Sequence, residues 1–296
     1  MSSRDDGPPV IRLNATGGLG NRMFECLFAH RLAAEIPGAV ITGTPLPQWR
    51  LRFPDLRLPR PSLFLQGHRP DLLRVKALFR DGLLRGVETN SLACRMELLP
   101  ALAAARALFS PPRIEHLRFG ADTLLINIRG AEILGPRHKD YRPLPFAYYT
   151  RLIDETGLQP VFMGQLGDDV HTTALRSRFR GATFEPSRGP MEDFAAIRTA
   201  PHVVLPVSTF SWLAAWLSES AETIHLPIIG FYHPRRRPEV DLIPLADPRY
   251  RFHLFPDDAW DGTEGALRQV IHGAQAGRRL VVPEAAAFVH GITWTD

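Results

Sequence analysis

The chain has 296 residues, 45% of them hydrophobic and 22% charged, with a formal net charge of +4 and a pI near 9.4. That length allows two domain-sized cores, and the composition excludes a disordered or fibrous chain. No run of about 18 apolar residues could span a bilayer, and no basic-then-apolar opening marks a signal peptide, so a cytoplasmic protein is expected.

The positive side is arginine almost throughout: Lys76 and Lys139 are the only lysines. Genome base composition can give such a bias without function. The functional alternative is a phosphate or carboxylate ligand, which the planar guanidinium grips bidentately. Nucleic acid is not an expected partner, because the densest cluster, "HPRRRPEVD" at 233–241, is proline-bounded and followed by acids rather than interleaved with aromatics. Cys26 and Cys94 lack metal-ligand spacing and are expected as free thiols.

Residues 1–9 are polar, end in Pro8-Pro9 and read as a disordered arm. Apolar and β-branched residues from Val10 to Ala15 predict a strand, broken by Gly17, Gly18 and Gly20 before a helix that begins near Asn21. That helix is expected to turn Phe24, Leu27, Phe28, Leu32 and Ile36 inward and Arg22, Glu25, Arg31 and Glu35 outward, and Pro37-Gly38 stops it. "AVIT" at 39–42 suggests a second strand. Residues 45–120 give a weaker signal, proline-rich at first, with helical pieces around 71–80 and 97–109.

From Asp122 a regular alternation sets in. Strands are expected at 123–128, 160–164, 182–184, 202–206 and 223–227, and helices at 145–156, 169–179, 191–200 and 208–220. Such alternation implies right-handed βαβ units around a parallel sheet. The expected fold is therefore α/β, with two Rossmann-like domains whose parallel sheets carry helices on both faces. The domains are placed at 10–120 and 121–275, with 276–296 as an extension that the pattern does not assign.

"TGGLGN" at 16–21 admits several readings. A dinucleotide-binding fingerprint would make the chain an NAD(P)-binding Rossmann oxidoreductase. However, Met23 stands at the third glycine position, and the next strand ends at Thr42-Gly43 with no acid for the ribose. A nucleotide-hydrolase phosphate loop needs a Gly-Lys-Ser/Thr ending, which is absent. A tight turn that only reverses the chain would suit the glycines equally well. Asn21, with both a donor and an acceptor at the positive end of a helix, adds a group able to bond a phosphate or sugar oxygen.

"GGLGNRMFECLFAHRLA" resembles the opening segment of the α-1,2-fucosyltransferase family, whose Gly-Gly-Leu-Gly-Asn-Gln turn leads into a Met/Leu-Phe helix; Arg22 stands where that family has glutamine. A second segment, "LLINIRGAEIL" at 124–134, is similar to the family's His-x-Arg-Arg-x-Asp strand end. Arg129 takes the first arginine position and Glu132 the acidic one, while Asn127 replaces the histidine and Gly130 the second arginine. A third, "DFAAIRTAPHVVLPVSTFSWLAAWLS" at 193–218, resembles the family's Asn-Ser-Ser-Phe-Ser-Trp-Trp region. It agrees through Asp193, Phe194, His202, Ser208, Phe210, Ser211, Trp212, Ala215, Trp216 and Leu217. Between them, "YYTRLIDETGLQPVFMGQLGDD" echoes a tyrosine-pair helix and a strand that ends in acids, here Asp168 and Asp169.

The resemblance implies a GT-B-type glycosyltransferase that transfers L-fucose from GDP-fucose to a glycan hydroxyl with inversion and no required metal or cofactor. The acceptor would be a glycan or a lipid-linked saccharide, with peripheral membrane association possible in the second case. Arg129 would neutralise the leaving diphosphate and Glu132 would be a candidate base whose pKa burial could raise, with His138 and Asp140 as alternatives. Gly18, Gly20 and Asn21, the last reaching over an interdomain cleft, Asn127, and the helix tip at Ser208, Thr209, Phe210 and Ser211 would hold the donor. Asp168 or Asp169 would meet a guanine edge or cap a helix. The altered arginine motif leaves open a binding relative of the same fold without transfer activity.

Overall fold

The computed structural model describes residues 7–110 and 113–291. Most of the expected arm, residues 1–6, and the closing "ITWTD" lie outside the described residues. Pro9 is tied in by a hydrogen bond from the Val40 amide to its carbonyl, 2.8 Å. The chain divides into two compact units: one takes residues up to Pro112 with Glu239–Leu242, the other Arg113–Pro238 with Ile243 onward.

The first unit holds a four-stranded parallel sheet in the order β2-β1-β4-β3, built from β1 (Val10–Leu13), β2 (Val40–Gly43), β3 (Ser62–Leu65) and β4 (Gly86–Thr89). Helix α1 (Leu19–Glu35) crosses from β1 to β2 and α2 (Leu72–Arg80) from β3 to β4, while α3 (Leu102–Leu108) follows β4. The two helical pieces expected between 45 and 120 are α2 and α3. Strands β3 and β4, four residues each, carry too little alternation to stand out from the proline-rich sequence around them.

The second unit is a doubly wound sheet in the order β11-β10-β9-β8-β5-β6-β7. Strands β5 (Thr123–Ile128), β6 (Gln159–Gly164) and β7 (Thr183–Pro186) run outward in one direction. The chain then returns to the other side of β5 for β8 (His202–Val204), β9 (Thr223–Ile228) and β10 (Tyr250–Leu254). All these pairings are parallel; β11 (Arg278–Leu280) adds an antiparallel edge on β10. The segment "RRLVV", which the sequence pattern does not assign, supplies that edge strand.

Right-handed crossovers put helices on both faces. Helices α4 (Phe146–Thr156) and α5 (Val170–Arg178) both pack on α8 (Glu264–His272), while α6 (Pro190–Thr199) packs along α7 (Thr209–Trp216); α9 (Val282–His290) closes the described chain. The central strand shows the consequence: Leu124, Leu125, Ile126, Asn127 and Ile128 are all buried, as a strand covered on both faces requires. The expected fold class is thus found, two α/β units with parallel sheets and helices on both faces. Among the described residues no helix is long and apolar enough to cross a membrane, and Cys26 and Cys94 are buried free thiols.

One glycine governs how β6 leaves the sheet. Gly164 has φ +128°, and a Cβ built there would lie 2.4 Å from the Ile128 carbonyl oxygen of β5, which accepts the Gln165 amide at 3.0 Å. Any side chain meets both a forbidden backbone region and a clash with a neighbouring strand. Gly164→Ala is expected to cost at least about 2 kcal/mol in urea denaturation; a variant as stable as the parent would show that this turn relaxes freely.

Candidate functional site

In the second unit β5 and β8 are neighbours, yet the chain leaves their C-terminal ends toward opposite faces. A crevice opens at such a switch point, and ligands of doubly wound sheets bind there. Arg129 follows β5 directly, and Leu205–Ser208 lead from β8 into α7. The two segments meet: Arg129 Nη1 donates to the Val207 carbonyl at 3.1 Å, Nη2 donates to Glu132 Oε1 at 3.1 Å, and the guanidinium lies 4.5 Å from the centre of the Tyr141 ring. With its side chain 23% exposed, Arg129 is half-buried. These two bonds engage two of the five N–H donors of a guanidinium.

Ser208 is the N-cap of α7. Its Oγ accepts the Ser211 amide at 3.3 Å, and its carbonyl accepts the Trp212 amide at 2.9 Å. Its own amide is engaged as well, donating to the Tyr232 hydroxyl at 2.9 Å, while that hydroxyl donates back to the Ser208 carbonyl at 2.7 Å. Free amides at this tip are therefore fewer than the sequence suggests. The Phe210 amide has no partner among the described residues. Thr209 is buried at the same tip, and the Phe210 ring stands edge-on to Phe194 at 5.3 Å.

Asn127 lies beneath this tip. Its Nδ2 donates to the Met163 carbonyl at 3.0 Å and its Oδ1 accepts the Ser211 hydroxyl at 2.7 Å, so both ends of the amide brace β5 against β6 and α7. Gly130 is equally local in its reason. A Cβ there would sit 2.8 Å from the Gln165 carbonyl oxygen, and the Gly130 amide donates to Gln165 Oε1 at 2.9 Å. The close approach of the β6 loop leaves no room for the second arginine of the resembled motif.

The carboxylates of the loop after β5 are held by arginines. Glu132, on a 3-10 turn at Ala131–Leu134, is 47% exposed. Partial burial pulls its pKa up, but its own backbone amide, the bond and charge of Arg129 and the charge of His138 outweigh this and hold it below the usual carboxylate range. That corrects the expectation of a buried Glu132 with a raised pKa. Asp140 accepts from Arg236 Nε and Arg237 Nη1, each at 2.8 Å; these arginines overcome its partial burial, and its pKa is lowered too. His138 stands edge-on to Tyr141, ring centres 6.2 Å apart.

A hollow of about 420 Å³ opens at the ends of β6 and β7, lined by Gly164, Gln165, Gly167, Asp168, Asp169 and Ser187 among others. Asp169 caps α5, accepting the Thr172 amide and hydroxyl at 2.9 Å each, which is the helix-capping alternative for that residue. Asp168 is exposed at the hollow. Among the described residues no three His, Cys, Asp or Glu side chains converge as metal ligands.

The glycine turn of the first unit differs from expectation in two respects. Helix α1 starts at Leu19, so Gly18 is its N-cap and Gly20 and Asn21 lie inside its first turn. Glu25, expected on the outer face, is 1% exposed and accepts from Thr16: Oε2 from the amide at 2.7 Å and Oε1 from the hydroxyl at 3.1 Å. A carboxyl group thus fastens the strand-to-helix turn from below. Burial pushes its pKa up to about 7, against the two Thr16 bonds and the charge of Arg22.

Tyr232, Tyr141 and Gln165 hold the crevice in shape, and none is prominent in the sequence. Tyr232 follows β9, and only the adjacency of β9 to β8 in the sheet brings it to Ser208.

No family model matches this chain, and no curated protein matches it. Among solved structures it is similar to an arginine-to-lysine mutant of Arabidopsis thaliana FUT1 in complex with GDP. The TM-score is 0.47 at 12% sequence identity, covering 73% of this chain and 70% of that one.

The Glu25 carboxyl gives a pH signature. Its folded-state pKa of about 7 exceeds the ordinary value of 4.5, so the folded state binds the proton more tightly and stability falls as pH rises through that window. The loss amounts to roughly 3 kcal/mol at most. Urea denaturation at pH 5 and pH 8 is expected to show the Glu25→Gln variant losing less stability over this range than the parent. Parallel pH profiles for the two proteins would mean that Glu25 is ionised throughout.

Proposed function

We propose that this chain is an inverting glycosyltransferase that needs no metal ion, moving a sugar from a GDP-sugar, L-fucose before others, to a hydroxyl of a glycan or lipid-linked saccharide. The single observation that carries the reading is the bond from Arg129 to the Val207 carbonyl, which fixes a cation beside the first turn of α7. A diphosphate in that crevice would meet the remaining N–H donors of Arg129, the Phe210 amide and the positive end of the helix. The three segments that resemble the α-1,2-fucosyltransferase family support the same reading; two of them supply Arg129 and the Ser208–Ser211 tip.

When the glycosidic bond to the donor breaks, negative charge grows on the departing diphosphate. Donors already held in place stabilise that charge more than they stabilise the ground state, so they raise the rate and not only the affinity. Arg129 is such a donor, since its bonds and the Tyr141 ring fix it before the ligand arrives. Thr209 and Phe210 line the phosphate position, and Asp168 faces the hollow where a base would lie. The first unit is assigned to the acceptor, while its turn at Gly18, Gly20 and Asn21 is assigned to the donor. Glu132, held by Arg129 with a lowered pKa, is a weak base. An acceptor hydroxyl attacking a sugar that leaves early needs little more.

A second reading, a nucleotide-sugar-binding protein without transfer, draws on the same carboxylates: Glu132 and Asp140 are both bonded to arginines. Transfer and hydrolysis assays over a panel of nucleotide sugars separate the two, because GDP binding without turnover fits the second alone. For the first, Arg129→Ala is expected to lower turnover by about a hundredfold or more, the scale for one preorganised donor. Undiminished turnover in that variant would remove Arg129 from the chemistry.

A further inference from the structure

The crevice is shaped by a segment that contributes nothing to its surface chemistry. After β9 the chain makes a 3-10 turn at Gly230–Tyr232. This turn is fastened to the loop after β5, where the Phe231 amide donates to the Asp140 carbonyl at 2.8 Å. From there its two aromatic rings go to the two halves of the crevice. Phe231 stacks on Tyr141 with ring centres 5.4 Å apart and planes 16° apart, and Tyr141 in turn carries the Arg129 guanidinium. Tyr232, buried, sends its hydroxyl to Ser208.

The bonds at Ser208 form a chain with one geometric meaning. The carbonyl of Val207 and the amide of Ser208 are the two ends of a single peptide group; Arg129 holds the oxygen and Tyr232 holds the N–H. The same Tyr232 hydroxyl donates to the carbonyl of the next peptide group, which the Trp212 amide also holds. Two consecutive peptide planes, the last before α7, are therefore fixed by one phenol and one guanidinium. Since a peptide group is rigid, fixing both planes fixes the direction in which the α7 amides point.

We propose that Phe231 and Tyr232 are positioning residues for the diphosphate site, one holding Arg129 in place through Tyr141 and the other setting the tip of α7. The proposal rests on the glycosyl-transfer reading of the site and adds to it the element that keeps the two donors in register. Neither residue touches the ligand. Their loss acts through Arg129 and Ser208.

The test uses the full chain, GDP as the probe and two conservative variants. Tyr232→Phe keeps the ring and removes both hydrogen bonds, and it is expected to weaken GDP binding about tenfold or more by calorimetry. Hydrogen–deuterium exchange in the peptide spanning 205–212 should also accelerate, while the rest of the second unit stays protected. Phe231→Leu is expected to weaken GDP binding with a smaller rise in exchange at 205–212 than Tyr232→Phe gives, because Tyr232 still holds Ser208 after the guanidinium has loosened. Unchanged GDP affinity in both variants, beside a parent that binds GDP, would overturn the proposal and leave the reading of the site intact. A parent that binds no GDP would overturn that reading, and the proposal with it.

Discussion

One hydrogen bond, from the Arg129 guanidinium to the Val207 carbonyl, joins the two strand ends on which the site depends. Strands β5 and β8 lie side by side because the chain reverses its winding between them, and such a reversal is where doubly wound sheets open a crevice at the C-terminal strand ends. A crevice alone is only a gap. The bond fills one side of it with a fixed cation and ties that cation to the segment entering α7. Positive charge and helix tip then move as one body.

Around this bond the unit adds support in layers. Asn127 braces the floor between β5, β6 and α7, and Gly130 lets the β6 loop close in beside Arg129. Tyr141 and Phe231 form a stacked support under the guanidinium, and Tyr232 holds the last peptide groups before the helix. Arg236 and Arg237 pair with Asp140, whose backbone carbonyl accepts the Phe231 amide, and so hold the loop after β5 against the turn after β9. These polar groups are buried or half-buried, where a bonded network is rigid and a broken one is costly. Such rigidity is what the proposed transfer would ask of a site that meets charge as it develops.

Much of the second unit was legible in the sequence because its strands are continuous apolar runs and its helices are bounded by turn residues. Strand β5 and helix α4 fall within a residue of their expected limits. The proline-rich part of the first unit was not legible: β3 and β4 are short, and their pairing with each other and β1 is a long-range fact. The burial of Glu25 is hidden from the sequence for a different reason. Helical periodicity assigns a charged residue to the solvent face, and only the fold of the turn brings Thr16 down to meet it. Of the site, Arg129 and Ser208 could be named from motifs, whereas Tyr141, Gln165 and Tyr232 reach it through neighbouring strands and loops that no local pattern announces. Gly130 illustrates both sides. The sequence shows that an arginine is missing, and the 2.8 Å approach of the Gln165 carbonyl supplies the reason.

The most direct test is a crystal structure of the protein grown with GDP. The diphosphate should lie in the β5–β8 crevice, with its oxygens within hydrogen-bonding distance of Arg129 Nη atoms and the Phe210 amide, and with the Arg129–Val207 bond intact. A nucleotide bound elsewhere, or an Arg129 that turns away from the phosphates, would contradict the joined cation and helix tip as the seat of function.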